Sequence, residues 1–320
     1  MSLKMVELKV HYKTIRGMVQ ALDGMTLDLP DGEIIGLAGE SGCGKSTLSN
    51  ALILLKPPME LVGGHVELDG TPLPIGEFLQ MRAFRYKHIS IIPQYAMNAM
   101  NPTVKIGRFI RSIIESRGIS FSKVMNALYS RFEIVGLSKK ILDLYPIELS
   151  GGMKQRVVMV IATLLNPSLL LADEITSALD VSTQKAVAKL IVEFRNQGFV
   201  KSVIFVTHDV SVLYQIADRI LIMYAGKLAE LGPTESIINQ PCHPYTKLLV
   251  SSMPEVGVTY EKTPLYGIPG QPPLLLNPPK GCRFKERCPL AYEQCSEEPP
   301  IEEIQPGHQV ACWKARETDD

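Results

Sequence analysis

Residues 39–47 have the residue types and the spacing of a loop that binds phosphate. They read GESGCGKST, with glycines at three positions and a Lys-Ser-Thr end. Glycines let backbone N–H groups turn toward an anion, Lys45 adds a positive charge, and the Ser46 hydroxyl can bind Mg²⁺. The helix expected after the loop offers its positive end to the same anion. The loop therefore predicts an ATP and Mg²⁺ site built from Gly39, Ser41, Gly42, Cys43, Gly44, Lys45, Ser46 and Thr47.

A second turn of this kind lies at residues 149–153, which read LSGGM. A serine followed by two glycines at the start of a helix is another place where backbone N–H groups can hold an anion. One nucleotide does not need two such turns within one domain. We therefore expect Ser150, Gly151 and Gly152 to close over the γ-phosphate of ATP held by a second ATPase subunit.

With both turns, the chain resembles the ATPase subunits of ATP-binding-cassette (ABC) transporters, and further motifs of that family follow in its order. Residues 169–174 read LLLADE, an apolar strand that ends in two carboxylates, and residues 203–209 read VIFVTHD. The resemblance implies that Asp173 holds Mg²⁺ through water and that Glu174 polarises the attacking water. It also implies that His208 contacts the γ-phosphate.

Three more positions match the same family. Gln94 follows an apolar run and fits the glutamine that binds Mg²⁺ and senses the attacking water, while Asp180 ends the SALD loop that crosses to the partner subunit. Tyr12 precedes the phosphate loop at a distance that suits the aromatic residue stacked on adenine. Tyr12 or His208 alone could be an ordinary structural residue, but the complete set of motifs in the family's order favours the family.

The chain departs from the family pattern after Glu174, where Ile175 replaces the usual proline. Proline would fix φ and stiffen the turn. We expect its absence to loosen the placement of Glu174 and, at most, to slow hydrolysis. The resemblance also implies that membrane permeases dock near Gln94 and residues 97–100, where Met97 and Met100 could instead be core residues.

The composition is that of a globular enzyme. Of the 320 residues 46% are hydrophobic, and Lys plus Arg equal Asp plus Glu at 33 each. A balanced charge gives no general attraction to nucleic acid. No apolar run reaches the roughly 18 to 20 residues that span a bilayer, and no secretory signal is visible. We expect a cytoplasmic protein that reaches the membrane through its partners.

The order of the motifs predicts an α/β fold, which the resemblance specifies as an ABC-type P-loop ATPase core. Its parts are a RecA-like parallel sheet, an antiparallel β subdomain and a helical subdomain. Residues 1–239 would form the ATP-binding domain, with the helical subdomain at about 96–157, where apolar residues such as Ile106, Ile110 and Ile114 recur at helical spacing. Prolines interrupt residues 240–320, which predicts an irregular, cysteine-rich C-terminal extension.

Four of the six cysteines lie in the last 39 residues of this extension, at Cys282, Cys288, Cys295 and Cys312. In a reducing compartment such a group is better explained by metal or cofactor binding than by disulfides. Zinc sites more often use closely paired cysteines. Wide spacing and the Cys288-Pro289 step favour a [4Fe–4S] cluster. Zn²⁺ and thiols without metal are the alternatives.

The extension also narrows the resemblance. Residues 241–249 (PCHPYTKLL), 268–273 (IPGQPP), 281–284 (GCRF) and 287–289 (RCP) resemble the C-terminal region of oligopeptide and dipeptide importer ATPases. The resemblance implies a peripheral subunit on the cytoplasmic face of the membrane. Its partners would be a second, non-identical ATPase, two membrane permeases and an extracytoplasmic substrate-binding protein.

Two alternatives to peptide import stay open at this point. The same kind of machine also imports oligosaccharides or nickel. A soluble ABC ATPase acting on nucleic acid or ribosomes is the other alternative. It is disfavoured because the sequence contains one cassette and no long insertion between the phosphate loop and residues 149–153.

Overall fold

The computed structural model describes residues 3–94, 99–177, 179–252 and 267–315. The chain divides into two compact units, Met1–Met81 with Phe205–Asp320 and Arg82–Ile204. The predicted helical subdomain lies within the second unit, and the predicted extension belongs to the first. Within the described ranges, no helix is long and apolar enough to cross a bilayer.

The first unit contains a four-stranded antiparallel sheet. In β1 (Leu3–Thr14) the buried side chains Leu3 and Met5 are followed by Leu8 and Val10, so the alternation slips by one residue between Met5 and Leu8. A bulge at that point, with Glu7 at φ 49°, keeps both pairs on the buried face. The strand order is β2-β1-β4-β5, formed by β1 (Leu3–Thr14), β2 (Gly17–Leu29), β4 (Met59–Leu68) and β5 (Thr71–Pro72).

The turn between β4 and β5 follows from its sequence. Asp69 and Gly70 both have positive φ, 58° and 70°. This is the backbone that a two-residue hairpin turn needs, and an Asp-Gly pair supplies it with little strain. The antiparallel pairing of Leu68 with Thr71 completes the hairpin.

Five further strands of the first unit are neighbours in another sheet, in the order β11-β12-β10-β9-β3. The strands β3 (Ile34–Ala38) and β9 (Arg219–Tyr224) are parallel, and β3 is buried along its whole length. The strands are β3 (Ile34–Ala38), β9 (Arg219–Tyr224), β10 (Lys227–Pro233), β11 (Glu302–Gln305) and β12 (His308–Val310), and the helices of this unit are α1 (Lys45–Ile53), α7 (Val210–Ile216), α8 (Thr234–Asn239) and α9 (Pro244–Ser251).

The second unit is mainly helical around a short parallel sheet. On α3 (Ile106–Glu115), Ile106, Ile110 and Ile114 are all buried, as their spacing predicts. Arg131 on α4 is also buried and donates to the Thr163 carbonyl at 3.0 Å. The elements are β6 (Ile89–Ile92), α3 (Ile106–Glu115), α4 (Phe121–Ile134), α5 (Gly151–Thr163), β7 (Leu169–Asp173) and α6 (Val181–Asn196). The helix α2 (Phe78–Phe84) and the strand β8 (Ser202–Val206) each have residues in both units.

The C-terminal extension is less irregular than its prolines suggest. Its strands β11 and β12 form a hairpin, and β12 pairs with β10 of the first unit. One buried carboxylate fastens both ends of the extension to β10. Glu230 accepts hydrogen bonds from the backbone N–H groups of Cys242 (2.8 Å) and His243 (3.0 Å) and approaches the His308 Nε2 at 2.7 Å. Because these bonds join residues that are not neighbours in the sequence, no periodic sequence pattern predicts them.

His243 makes the packing of the extension sensitive to pH. Its Nδ1 accepts from the Tyr245 backbone N–H at 3.0 Å, which requires a neutral ring. Burial lowers the pKa of His243 to about 4, against the opposing charge of Glu230. In an unfolded chain the pKa is about 6.5, so the unfolded state gains the proton first as the pH falls.

We therefore expect the contribution of neutral His243 to the free energy of unfolding to be fully present above about pH 6.5. It should fall by up to roughly 3 kcal/mol between that pH and about pH 4. Thermal unfolding followed by circular dichroism at pH 7 and pH 4.5 measures this. His243→Asn keeps an acceptor for the Tyr245 N–H but does not titrate, so its melting temperature should fall less over the same range. Equal pH dependence of both proteins would contradict the assignment.

Candidate active site

The phosphate loop connects β3 to α1, and only glycine fits at two of its positions. A Cβ on Gly39 would lie 2.2 Å from the Met223 carbonyl oxygen, and one on Gly44 would lie 2.3 Å from the Ala21 carbonyl oxygen. Both glycines also have positive φ, 145° and 110°. Gly42 has positive φ as well, but no atom lies within 4 Å of its Cβ position. The loop therefore packs closely on one side and is open on the other.

Lys45 closes the loop on itself. Its side chain is buried, and its Nζ donates to the carbonyls of Gly39 at 2.7 Å and Glu40 at 3.0 Å. Three of the predicted phosphate-binding residues, Ser41, Gly42 and Ser46, are exposed. The Cys43 carbonyl accepts from Gly226 N–H at 2.8 Å, which fixes the loop to the turn after β9.

Tyr12 and His208 both lie in the first unit with this loop. The Tyr12 hydroxyl is 3.1 Å from the Thr47 hydroxyl on α1, so the ring is beside the helix that follows the loop. His208 is exposed at the end of β8. The preceding residue, Thr207, donates its N–H to the Leu37 carbonyl at 3.2 Å, so His208 is held near the edge from which the phosphate loop emerges.

In the second unit, the structure brings Gln94 and Glu174 together. Glu174 follows Asp173, which is buried at the end of β7, and the Gln94 Nε2 donates to the Glu174 carboxylate at 2.8 Å. Glu174 has φ 46°, a left-handed backbone conformation that is uncommon and strained for a residue other than glycine.

Ile175 holds this turn by burial. Its side chain is 4% exposed, and its carbonyl accepts a hydrogen bond from Gln155 on α5. The Glu174 carbonyl accepts from both the N–H and the hydroxyl of Ser177, at 3.2 and 2.9 Å. The expected looseness after Glu174 is therefore opposed by apolar burial and by these hydrogen bonds.

The second glycine-rich turn and Asp180 are helix caps. The Ser150 Oγ accepts from Met153 N–H at 3.3 Å at the start of α5, and Gly152 has no atom within 4 Å of its Cβ position. Asp180 caps α6 and accepts from the Ser182 and Thr183 backbone N–H groups. Hydrogen bonds from Ser182 and Thr183 lower the pKa of Asp180 well below its usual range.

Two predictions concern residues outside the described ranges. Met97, proposed to lie near the permeases, is one, and Ala178 of the SALD loop is the other. Met100 is described and is 4% exposed. Its side chain is therefore a core residue, as the alternative interpretation held.

The four cysteines of the extension line one small apolar pocket. Short turns carry three of them: the Cys282 N–H donates to the carbonyls of Cys295 and Glu297, both at 3.1 Å. This approach requires Gly281, because a Cβ there would lie 2.4 Å from Ser296 backbone atoms. The pairing of β12 with β10 brings in the fourth. The pocket is lined by Cys282, Cys288, Cys295 and Cys312 with aromatic and aliphatic neighbours, among them Phe284, Leu290, Tyr292 and Trp313.

The spacing of these thiols bears on which metal they suit. Among the described residues, only Glu230, Cys242 and His308 place three potential ligand atoms within 4.8 Å of one another, so no three of the four pocket sulfurs are that close. A tetrahedral zinc site with Zn–S bonds of about 2.3 Å has sulfurs about 3.8 Å apart. Burial raises the pKa of Cys282 to about 11, so binding of a metal must displace protons.

Glu40 of the phosphate loop contacts two residues of the extension, Arg287 and Tyr245, to which the sequence assigned no role. Arg287 donates to both carboxylate oxygens of Glu40, at 2.6 and 2.9 Å, and the Tyr245 hydroxyl accepts from the Glu40 N–H at 2.8 Å. The extension therefore contacts the phosphate loop at both the side chain and the backbone of Glu40.

Known proteins share both parts of this chain. Residues 22–177 match the ABC transporter family, and residues 229–295 match the family described as "Oligopeptide/dipeptide transporter, C-terminal region". The dipeptide transport ATP-binding protein DppD of Caldanaerobacter subterraneus is 37% identical over 93% of this chain and 92% of its own length. The oligopeptide transport ATP-binding protein OppD of Escherichia coli is 37% identical over 98% and 93%.

The chain belongs to the ATP-binding subunits of oligopeptide and dipeptide ABC transporters.

Solved structures confirm the predicted fold of this ABC ATPase. The protein cbiO1 from Clostridium perfringens, part of the ABC transporter complex cbiONQ, aligns with a TM-score of 0.64 at 23% identity, over 74% of this chain and 90% of its own. The cassette MJ0796, in a dimeric post-hydrolysis state bound to ADP and Pi, aligns with a TM-score of 0.63 at 24% identity, over 72% and 98%.

The close packing at Gly39 gives a test of the phosphate loop in this ABC ATPase. In Gly39→Ala the methyl group must displace the Met223 backbone, so we expect MgATP affinity to fall at least tenfold. Gly32→Ala is the matched control, because Gly32 has φ 84° but open space around its Cβ position. It should cost about 1 to 2 kcal/mol of stability and leave affinity unchanged. Calorimetric titration with MgATP distinguishes them, and equal losses of affinity would contradict the steric argument.

Proposed function

We propose that this chain is the ATP-hydrolysing subunit of an importer that takes up dipeptides or oligopeptides. The observation that carries the proposal is the presence in one chain of an ABC cassette and the C-terminal region typical of oligopeptide and dipeptide transporters. The relatives that match over nearly the whole chain carry peptide transport in their names. Cargo binding is not a property of the ATPase chain itself, so the substrate class rests on this membership.

We infer the following roles for the residues of the cassette. Lys45 and the backbone of the phosphate loop bind the phosphates, and Ser46 binds Mg²⁺ with Asp173 acting through water. Gln94 and Glu174 orient the attacking water, which their mutual hydrogen bond supports. The remaining proposed contacts to nucleotide are stacking by Tyr12, a γ-phosphate contact from His208, and closure by Ser150, Gly151 and Gly152 of the partner ATPase, whose loop at Asp180 would cross between subunits.

We further propose the assembly in which this chain works. It would lie on the cytoplasmic face of the membrane, bound to two permeases and to a second, non-identical ATPase, with an extracytoplasmic binding protein delivering cargo. Oligosaccharide or nickel import remains the alternative cargo and is separated from peptide import by the uptake measurement below. The balanced charge of the chain supports the absence of nucleic acid from its partners.

Uptake in native cells tests the proposed function. Deleting the gene should abolish accumulation of labelled dipeptides or short oligopeptides, and the parental chain supplied on a plasmid should restore it. Glu174→Gln should not restore uptake, because ATP hydrolysis drives the transport cycle. Unchanged peptide uptake with loss of oligosaccharide or nickel uptake would show that the peptide assignment is wrong.

The same variant tests the catalytic assignment in the purified protein. Since Glu174 should act on water and not hold the nucleotide, Glu174→Gln should bind ATP normally while turnover falls at least about 100-fold. Lys45→Ala, in contrast, should lose nucleotide binding. Near-parental hydrolysis by Glu174→Gln would exclude Glu174 as the residue that activates water.

We also propose that the thiol pocket holds a [4Fe–4S] cluster through Cys282, Cys288, Cys295 and Cys312. The four thiols fit such a cluster, because they line one apolar pocket and their sulfurs are too far apart for a compact zinc tetrahedron. A cluster bound there would supply cross-linking of the extension, and it carries no step of the hydrolysis. The cysteines, the Gly281 turn and β12 form the cradle that receives it.

Metal analysis of anaerobically purified protein tests this site. We expect a brown protein with about four irons and four sulfides per chain, and Cys288→Ser should lose the colour and make the extension sensitive to protease. Cys242→Ser is the matched control, because Cys242 lies in the same extension but does not line the pocket. Stoichiometric zinc in a colourless protein, or no metal at all, would overturn the cluster assignment.

A further inference from the structure

The phosphate loop is held from outside the cassette at Glu40. Arg287 forms a two-pronged ion pair with its carboxylate, in which Nη1 lies 2.6 Å from Oε2 and Nη2 lies 2.9 Å from Oε1. The Arg287 side chain is 4% exposed. It also donates to the Tyr224 hydroxyl at 3.1 Å and to the Pro269 carbonyl at 2.7 Å. A guanidinium with this many fixed partners is a rigid support.

The backbone of Glu40 is held as well. Its N–H donates to the Tyr245 hydroxyl at 2.8 Å, and Tyr245 is fully buried. The Tyr245 ring packs against Tyr224 and Phe284, with ring centroids 4.6 and 5.4 Å apart. The side chain and the main chain of one loop residue are therefore both fixed by residues of the C-terminal extension.

Glu40 is placed where it can affect the whole loop. Its carbonyl accepts from the Lys45 Nζ at 3.0 Å and from the Cys43 N–H at 3.3 Å. It also follows Gly39, whose position allows almost no movement toward Met223. A shift of Glu40 would therefore move an acceptor of the lysine that is expected to bind phosphate.

We propose that Arg287 and Tyr245 are positioning residues of the nucleotide site, acting through Glu40 on the phosphate loop and Lys45. The C-terminal extension is then a working part of ATP binding and not only an appended module. This inference rests on ATP binding by the phosphate loop and requires neither a particular cargo nor an occupied thiol pocket.

Arginine variants of the full chain test the proposal. Arg287→Met and Arg287→Lys both remove the planar fork, and both should weaken MgATP binding about tenfold, with Arg287→Lys the milder because it keeps the charge. Glu40→Gln should weaken binding similarly. The double variant Glu40→Gln with Arg287→Met should be no worse than either single change, because both remove the same contact. Calorimetric titration gives the affinities.

Arg283→Met is the matched control. Arg283 is an equally buried arginine of the same extension, but it donates to Asp23 at 2.5 Å and Gln20 at 3.0 Å on β2 and to the Ala225 carbonyl, and none of these acceptors belongs to the phosphate loop. It should leave MgATP affinity within about twofold of the parental value even if its melting temperature falls as far as that of Arg287→Met. Tyr245→Phe should give a smaller loss, because it removes one acceptor and keeps the ring.

The possible results distinguish a failure of this proposal from a failure of the nucleotide site on which it rests. An MgATP affinity of Arg287→Met equal to that of the parental chain would overturn the proposal. Equal losses of affinity in Arg283→Met and Arg287→Met would also overturn it, because the extension would then act only through general stability. Lys45→Ala is measured alongside. If the parental chain binds MgATP and Lys45→Ala does not, the nucleotide site stands and the arginine variants judge the extension alone.

Discussion

The conformation of the phosphate loop depends on close packing around two of its glycines. Backbone carbonyls approach the Cβ positions of Gly39 and Gly44 to within 2.2 and 2.3 Å, and the turn after β9 fixes the Cys43 carbonyl. Contacts of this kind leave one backbone path, because any side chain at the two glycines would overlap main-chain atoms that cannot move independently. The loop can then present N–H groups in a fixed arrangement, at no cost in ordering when an anion binds.

The extension is joined to the first unit mainly by buried polar groups. Glu230, Arg283 and Arg287 each form several hydrogen bonds to residues distant in sequence. Buried ion pairs contribute little net stability because removing charges from water is costly, but each fixes a geometry strictly. This explains how a proline-rich segment with few apolar residues can hold Arg287 against Glu40 and bring four cysteines to one pocket.

The turn at Glu174 shows the same combination of a strained backbone and strong local support. The strain of a positive φ at Glu174 is offset by burial of Ile175 and by the hydrogen bonds of Gln155 and Ser177. Gln155 lies on the helix that begins at the second glycine-rich turn, so that helix and the carboxylate turn are connected within the second unit. A proline after Glu174 is one way to stiffen this turn, and apolar packing is another.

The sequence by itself determined the family, the cassette motifs and the elements that carry them, because each motif is local: glycines in a short loop, carboxylates after an apolar strand, isoleucines at helical spacing. It also identified the four cysteines as one group. Only the tertiary structure decided what Glu40 contacts, because Arg287 and Tyr245 lie more than 200 positions later. The pairing of β12 with β10 and the burial of Ile175 were likewise beyond the sequence. Long-range polar contacts leave no periodic pattern in a chain, whereas apolar faces and glycine turns do.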